Sequence, residues 1–267
     1  MNYFNEKHKQ LDDIMHSFDS VLVAFSGGVD SALVLKLAHD ALKNNCAAFT
    51  SDSPSVPRSE LDIARQIAAS IGAQHSIVET KELENPDYSR NPVNRCYFCK
   101  SSLYSAMVQH AKAMGIAYIL NGTNADDASD YRPGLRAADE LKVRSPLKDA
   151  GMTKNDVREL AHHLKIEVWD KPASPCLSSR IPYGQPVTPE KLSMIEAAEA
   201  YLKSFGIVDL RVRHFGTSAS IEVLPEDTAV IQGNYESIRN RFKQIGFPDF
   251  SVKNFFSGSL NRLAGIR

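Results

Sequence analysis

Cysteine is scarce in this chain, an excess of charge of either sign is missing, and no long apolar run occurs. The 267 residues include four cysteines, Cys46, Cys96, Cys99 and Cys176. They are too few and too unevenly spaced for the disulfide framework of a small secreted domain, and read as reduced thiols. Lys and Arg total 31 against 32 Asp and Glu, a formal charge of −1. That balance excludes a general polyanion binder, whose affinity comes from many phosphate-neutralising cations, so no nucleic-acid partner is expected. A local basic pocket stays open. No stretch approaches the ~18 apolar residues of a membrane span, and the start, MNYFNEKHKQLDD, lacks the basic and apolar regions of a signal peptide. A cytoplasmic protein without a membrane partner is the expectation. Hydrophobic residues make up 43%, and a chain of this length buries roughly three quarters of its unfolded surface, enough for one or two domains without staples.

Up to about residue 170, short apolar runs alternate with helical periodicity. The expected strands are Val21–Phe25, Cys46–Thr50, His75–Val78 and Ala117–Leu120. Between them, the stripes Ala32, Leu33, Leu35, Leu37, Ala38, then Leu61, Ala64, Ile67, Ala68, Ile71, then Leu103, Met107, Ala111, Met114 mark helices. This alternation predicts an α/β fold with a parallel sheet covered on both faces. Thr153 opens a further helix as N-cap, with Asp156 at its third position. The segment Lys171–Pro189 carries Pro172, Pro175, Pro182, Pro186 and Pro189, which exclude a regular helix or central strand and make it a linker or a functional loop. Thr188-Pro189 then starts a helix faced by Leu192, Ile195, Ala198 and Leu202. Strands at Leu210–His214 and Ser220–Leu224, a helix near Asn234–Gln244 and a strand near Phe250–Asn254 predict a small α+β domain. The expected divisions are 1–170, 171–189 and 190–267.

Val21–Phe25 runs straight into Ser26-Gly27-Gly28-Val29-Asp30-Ser31 and an apolar helix. A strand, a Gly-rich turn and a helix start aim backbone N–H groups and the positive helix end at one spot, which makes an anion site. The glycines permit unusual backbone angles and close approach of a phosphate, and Ser26 and Ser31 add hydroxyls. A plain β-to-α turn is the bland alternative; the full string is more specific than a glycine pair. No GxxxxGK[ST] is present, so this is not a Walker-type loop.

The string SGGVDS resembles the PP-loop of the N-type ATP pyrophosphatases, which include GMP, NAD and asparagine synthetases and tRNA-thiolating enzymes. The resemblance implies a HUP-type sheet and cleavage of ATP to AMP and pyrophosphate, with AMP carried on a substrate oxygen and Mg²⁺ shielding the triphosphate. It implies ATP contacts from the loop, from Thr50 and Ser53 at the end of the second strand, and from Thr123 after the fourth. Asp30 and Asp127 are the implied Mg²⁺ ligands. For Asp126 and Asp127 a solvated turn or helix cap is the alternative.

Three further strings, NADDASDYRPGL (124–135), RSPL (144–147) and PASPCLSSRIPYG (172–184), resemble, with that loop, the LarE-type sulfur transferases over roughly residues 10–260. Those enzymes make the pyridinium bisthiocarboxylic acid mononucleotide that becomes the nickel-pincer cofactor of lactate racemase. The implied substrate carries a pyridinium ring, two carboxyls and a ribose phosphate, and Ser179, Arg180, Arg211, Arg213 and Glu199 fall at positions implied to bind it. Arg211 and Arg213, two apart on a strand, project to one face, and a guanidinium suits a dianion. Exposed strand arginines and a solvated helix glutamate are the bland readings. Tyr97 is placed either to stack on a ring of the ligand or to pack.

Cys176 is the expected sulfur-bearing residue. Its Pro-rich setting beside Ser178, Ser179 and Arg180 supplies donors that favour a thiolate; a buried small hydrophobe is the alternative. Family members either sacrifice a lone cysteine, which becomes dehydroalanine, or hold a [4Fe-4S] cluster on three cysteines with an extra sulfide on the open iron. Cys96-Tyr97-Phe98-Cys99 plus a distant third thiol is the count that leaves one iron open, and the spelling PCL around Cys176 matches the cluster kind. A cysteine-only route, a zinc site completed by His110 or Cys46, and a redox pair stay open. The expected activity is ATP-dependent sulfur transfer by a homo-oligomer. Its rivals are a tRNA thiolase, an amide-forming synthetase and a non-catalytic nucleotide sensor.

Overall fold

Runs of apolar residues too short for helices become strands, and the amphipathic stretches between them become helices. A computed structural model of the chain describes residues 3–129, 133–256 and 258–265; Asp130, Tyr131 and Arg132 of the string 124–135 lie outside them. Helix α1 (Tyr3–His16) leads into β1 (Val21–Ala24), α2 (Val29–Leu42), β2 (Cys46–Asp52), α3 (Arg58–Ile71) and β3 (Gln74–Glu79). A one-turn helix α4 (Pro86–Ser89) follows, then α5 (Arg95–Met114), β4 (Tyr118–Leu120), α6 (Gly134–Glu140), α7 (Pro146–Asp149) and α8 (Lys154–His163). The chain divides into two compact units, one made of residues up to Glu82 with Asn94–Ser174, the other of Leu83–Val93 with the residues from Pro175 onward.

In the first unit the strands form one all-parallel sheet in the order β3-β2-β1-β4. Val21, Leu22 and Val23 are wholly buried, as a strand covered on both faces requires. Val21 and Val23 join Leu33, Leu35 and Leu160 in one cluster, while Leu22 joins Phe49, Met107 and Ile119 in another. The polar N-terminal stretch forms α1, which the apolar periodicity does not announce. Leu11 and Met15, one turn apart, anchor it as wholly buried apolar residues, and the Lys7 ammonium reaches Asp156 at 2.7 Å. Thr153 caps α8 as expected: its hydroxyl accepts from the Asp156 N–H at 3.2 Å, and the Asp156 carboxylate accepts from the Thr153 N–H at 2.9 Å.

The second unit adds α9 (Pro189–Lys203), β5 (Leu210–Phe215), β6 (Ser218–Val223), α10 (Thr228–Gly233), α11 (Tyr235–Ile245), β7 (Asp249–Asn254) and α12 (Ser259–Leu263). Its sheet runs β5-β6-β7, antiparallel then parallel. Val212 and Ile221 face a core of Ala198, Leu202, Ile238, Phe242 and Phe247, and the strand alternation leaves Arg211, Arg213 and Glu222 on the opposite face. The Pro-rich segment is irregular apart from one 3-10 turn, Leu177–Arg180. Its carbonyls lack ladder partners, and the Asn91 side-chain amide donates to those of Ile181, Pro182 and Gln185 at 3.2, 2.8 and 3.0 Å. Among the described residues, no helix is long and apolar enough to cross a membrane.

Candidate active site

Strands β2 and β4 flank β1 on opposite sides, so the carboxyl end of β1 opens at a topological switch point, where open α/β sheets bind ligands. The loop 26–31 occupies that point. Gly27 has φ of +73°, and a Cβ there would stand 3.1 Å from the Ala64 backbone, so the residue is glycine on two counts. The Ser31 hydroxyl donates to the Gly28 carbonyl at 3.1 Å and accepts from the Ser26 N–H at 3.2 Å, which folds the loop over the first turn of α2.

Asp30 sits in that first turn. Its Oδ1 accepts from Asn124 Nδ2 at 3.0 Å, and its Oδ2 pairs with the Lys154 ammonium. Lys154 opens α8 and belongs to none of the motifs singled out above. The signal that points to it is its place: a cation at a helix N-terminus is opposed by the macrodipole, and here the Asp30 carboxylate compensates it. The run after β4 closes on the same spot, since a Cβ on Gly122 would fall 2.8 Å from the Ser31 nitrogen. Asp126 accepts from the Lys154 N–H at 2.8 Å and Asp127 from the Asn124 N–H at 3.0 Å. Both carboxylates thus shape the turn that carries Asn124 and Lys154 to Asp30. The Thr123 N–H donates to Asn121 Oδ1 at 3.0 Å.

Thr50 and Ser53 are buried. The Thr50 hydroxyl donates to the Phe25 carbonyl at 2.7 Å and accepts from His75 Nε2, also at 2.7 Å, which ties the strand ahead of the loop to β2 and β3. Burial, then the Arg65 cation, holds His75 below the ordinary histidine value. Ser53 Oγ bonds Ser55 Oγ at 2.7 Å. The side chains of Thr50 and Ser53 therefore build the floor of the site.

Cys96 and Cys99 lie in the first turns of α5, three residues apart and hence on neighbouring positions of one face. Cys96 is exposed and Cys99 half-buried, at a helix end that favours thiolates. Cys46 differs: it is buried on β2 and its thiol is pushed up to about 12 by burial. His110 lies eleven residues beyond Cys99 on the same helix, roughly 16 Å along the axis at 1.5 Å per residue, and bonds Ser76 at 3.0 Å. The zinc site completed by His110 is thereby corrected: that side chain lies too far along the helix to join the pair. Tyr97 donates to Glu140 at 2.7 Å and lies under the Arg136 guanidinium, 5.2 Å from its ring centre. Among the described residues, no three His, Cys, Asp or Glu side chains converge as a metal site.

In the second unit Cys176, half-buried, precedes the 3-10 turn. Arg180 is 2% exposed, and its guanidinium is spent inside the unit. Nε and Nη2 donate to the two oxygens of Glu199 at 2.8 and 3.1 Å, and Nη1 to the carbonyls of Pro175 and Cys176 at 2.7 and 3.2 Å. Glu199 is buried too and also accepts from the Val212 N–H at 3.0 Å. Arg213 pairs with Glu222 at 2.8 Å and donates to the Ser179 carbonyl at 2.8 Å. Arg211 is half-buried, with its guanidinium 5.1 Å from the Phe255 ring centre. Burial, then the neighbouring Arg180 cation, lowers its pKa.

The asparagine synthase family model matches residues 9–170. An uncharacterized protein of Synechocystis sp. is 42% identical over 261 residues, 96% of this chain and 97% of its own length. The pyridinium-3,5-bisthiocarboxylic acid mononucleotide synthase of Lactiplantibacillus plantarum is 37% identical over 248 residues, 90% of this chain and 88% of its own. An uncharacterized protein of Methanocaldococcus jannaschii is 29% identical over 227 residues, 85% of this chain and 86% of its own.

Proposed function

The chain belongs to the pyridinium-3,5-bisthiocarboxylic acid mononucleotide synthase family, built on an asparagine synthase PP-loop domain, and from that premise we propose the chemistry by which it works as an ATP-dependent sulfur transferase. The substrate is a pyridinium biscarboxylic acid mononucleotide, and the product serves nickel-pincer cofactor synthesis. The observation that carries this reading is the loop 26–31 at the switch point, with Gly27 in a conformation only glycine adopts freely and Asp30 joined to Lys154 and Asn124.

The N–H groups and hydroxyls of Ser26–Ser31 cradle the triphosphate. Asp30 is the carboxylate that would hold Mg²⁺, with Asp127 beside it, and Mg²⁺ when bound supplies charge neutralisation on the phosphates. Lys154, paired with Asp30 at the loop, supplies a cation for the phosphates. A substrate carboxylate attacks the α-phosphorus and pyrophosphate leaves, so that the carboxyl carbon gains AMP as a leaving group. Sulfide-level sulfur then attacks that carbon and AMP departs: a sulfide yields the thiocarboxylate directly, whereas the Cys176 thiolate first forms a thioester whose Cβ–S bond breaks with loss of the α-proton, leaving the thiocarboxylate and dehydroalanine. Arg211, with Arg213 and Ser179 near it, meets the ribose phosphate of the mononucleotide.

The sulfur is delivered at Cys176, from a cluster held there or, as the alternative, from its own thiolate. Cys96, Cys99 and Cys176 would hold a [4Fe-4S] cluster, which when bound supplies a sulfide for transfer; the accessible thiols of Cys96 and Cys99 at a helix N-terminus suit iron. The working form is a homo-oligomer in the cytoplasm. Anaerobically purified protein, incubated with ATP, Mg²⁺ and the mononucleotide, tests the reading: pyrophosphate release that needs both substrates supports it, and release that ignores the mononucleotide contradicts it. Iron bound by the parent protein and lost in Cys96→Ala assigns the sulfur to a cluster, whereas an iron-free active protein assigns it to Cys176 itself.

A further inference from the structure

Resting on the reading of Cys176 as the sulfur-bearing residue, we infer that the buried Arg180–Glu199 pair is a positioning device for that cysteine and makes no contact with substrate. All three nitrogens of the Arg180 guanidinium bond inward: Nε and Nη2 to Glu199 at 2.8 and 3.1 Å, and Nη1 to the Pro175 and Cys176 carbonyls at 2.7 and 3.2 Å and to Ser179 Oγ at 2.9 Å. With 2% exposure for Arg180 and 4% for Glu199, neither side chain presents a surface to a ligand. Glu199 is itself held by α9 and by the Val212 N–H of β5 at 3.0 Å. A continuous chain of bonds therefore runs from the small sheet through Glu199 and Arg180 to the peptide groups on either side of the Cys176 Cα.

The loop needs such a device. The Cys176 carbonyl accepts the Ser179 N–H at 2.9 Å in the 3-10 turn, but neither it nor the Pro175 carbonyl ahead of it belongs to a strand ladder, so the turn by itself does not fix the Pro175 peptide group. A planar fork with five donors can bond a carboxylate on one edge and carbonyls on another at once; an ammonium cannot. The Tyr88 hydroxyl, bonded to Ser178 Oγ at 2.7 Å, pins the far side of the same turn.

The test compares Arg180→Lys with the parent protein and with the double variant Arg180→Met/Glu199→Leu, which removes both charges together and so leaves no unpaired charge in the interior. Two readouts apply. The first is the alkylation rate of Cys176 by iodoacetamide in iron-free protein, where no shared cluster links the thiols, followed by peptide mass spectrometry with Cys96 as the internal reference. The second is the rate and KM of thiocarboxylate formation. The expected result is a several-fold change in Cys176 alkylation with Cys96 unchanged in both variants. The rate of transfer at saturating substrate falls by roughly a hundredfold, as for an ångström-scale misplacement, while KM for the mononucleotide stays within about twofold. Unchanged Cys176 alkylation in the folded double variant overturns the inference, and so does a KM that rises about tenfold with the saturated rate intact, since that marks a substrate contact. Thiocarboxylate formation by Cys176→Ala would sink the sulfur-bearing role instead, and is read separately because the alkylation comparison needs no turnover.

Discussion

Gly27 and Gly28 are neighbours in the string and do different work. Gly27 has a left-handed φ of +73° against the Ala64 backbone, whereas Gly28 has φ of −84° with only the Ser26 hydroxyl within reach of an added Cβ. Gly27→Ala is expected to lose about 1–2 kcal/mol of stability from the left-handed conformation alone and to weaken ATP binding with it. Gly28→Ala should leave stability unchanged. Urea unfolding and ATP titration calorimetry on the two variants check this contrast; equal destabilisation would contradict it. At this scale the loop was legible because its chemistry is local: strand, glycines and helix start are adjacent. Lys154 was not legible, since its partner Asp30 is 124 residues away. Nor was the burial of Arg180 against Glu199, because a residue type states charge and not where that charge is spent.

Helix α8 shows what an element owes to its first turn. Thr153 and Asp156 exchange bonds as cap and third residue, and Asp156 also receives Lys7 from α1. Thr153→Ala is expected to cost about 1 kcal/mol, read as a lower urea midpoint, and to weaken ATP binding because α8 carries Lys154 at its start. A variant with parent-like stability would contradict the capping assignment. The cap was legible from Thr153 and Asp156 alone. Helix α1 was not: the wholly buried apolar residues described in its polar length, Leu11 and Met15, fall below what a periodicity argument needs. The strands were legible because parallel strands covered on both faces are continuous apolar runs, and their ends shift by a residue or two where Gln74 and Glu79 complete the ladder with β2.

For the whole molecule, two imidazoles, His214 buried and His75 half-buried, set a pH dependence. Burial, then Arg65, lowers the pKa of His75, and burial, then Lys191, lowers that of His214. The unfolded chain binds protons at the ordinary histidine value near 6.5 while the folded chain does not, so stability falls as pH drops below about 6.5 toward the folded-state values and levels off beneath them. Urea midpoints at about pH 7.5 and about pH 5.5 should differ, and the difference should shrink in His75→Gln and His214→Gln; an unchanged difference would contradict the assignment. The two-part organisation follows from a composition shift at the Pro-rich segment, whereas the membership of Leu83–Val93 in the second unit rests on Tyr88 and Asn91 bonding residues about 90 positions later. The most direct measurement of the central claim is the mass of the mononucleotide after incubation with the protein, ATP and Mg²⁺. Replacement of a carboxyl oxygen by sulfur, matched by pyrophosphate and AMP and abolished in Cys176→Ala, is the predicted result. Pyrophosphate and AMP formed with an amide product, or with sulfur transfer undiminished in Cys176→Ala, would contradict it.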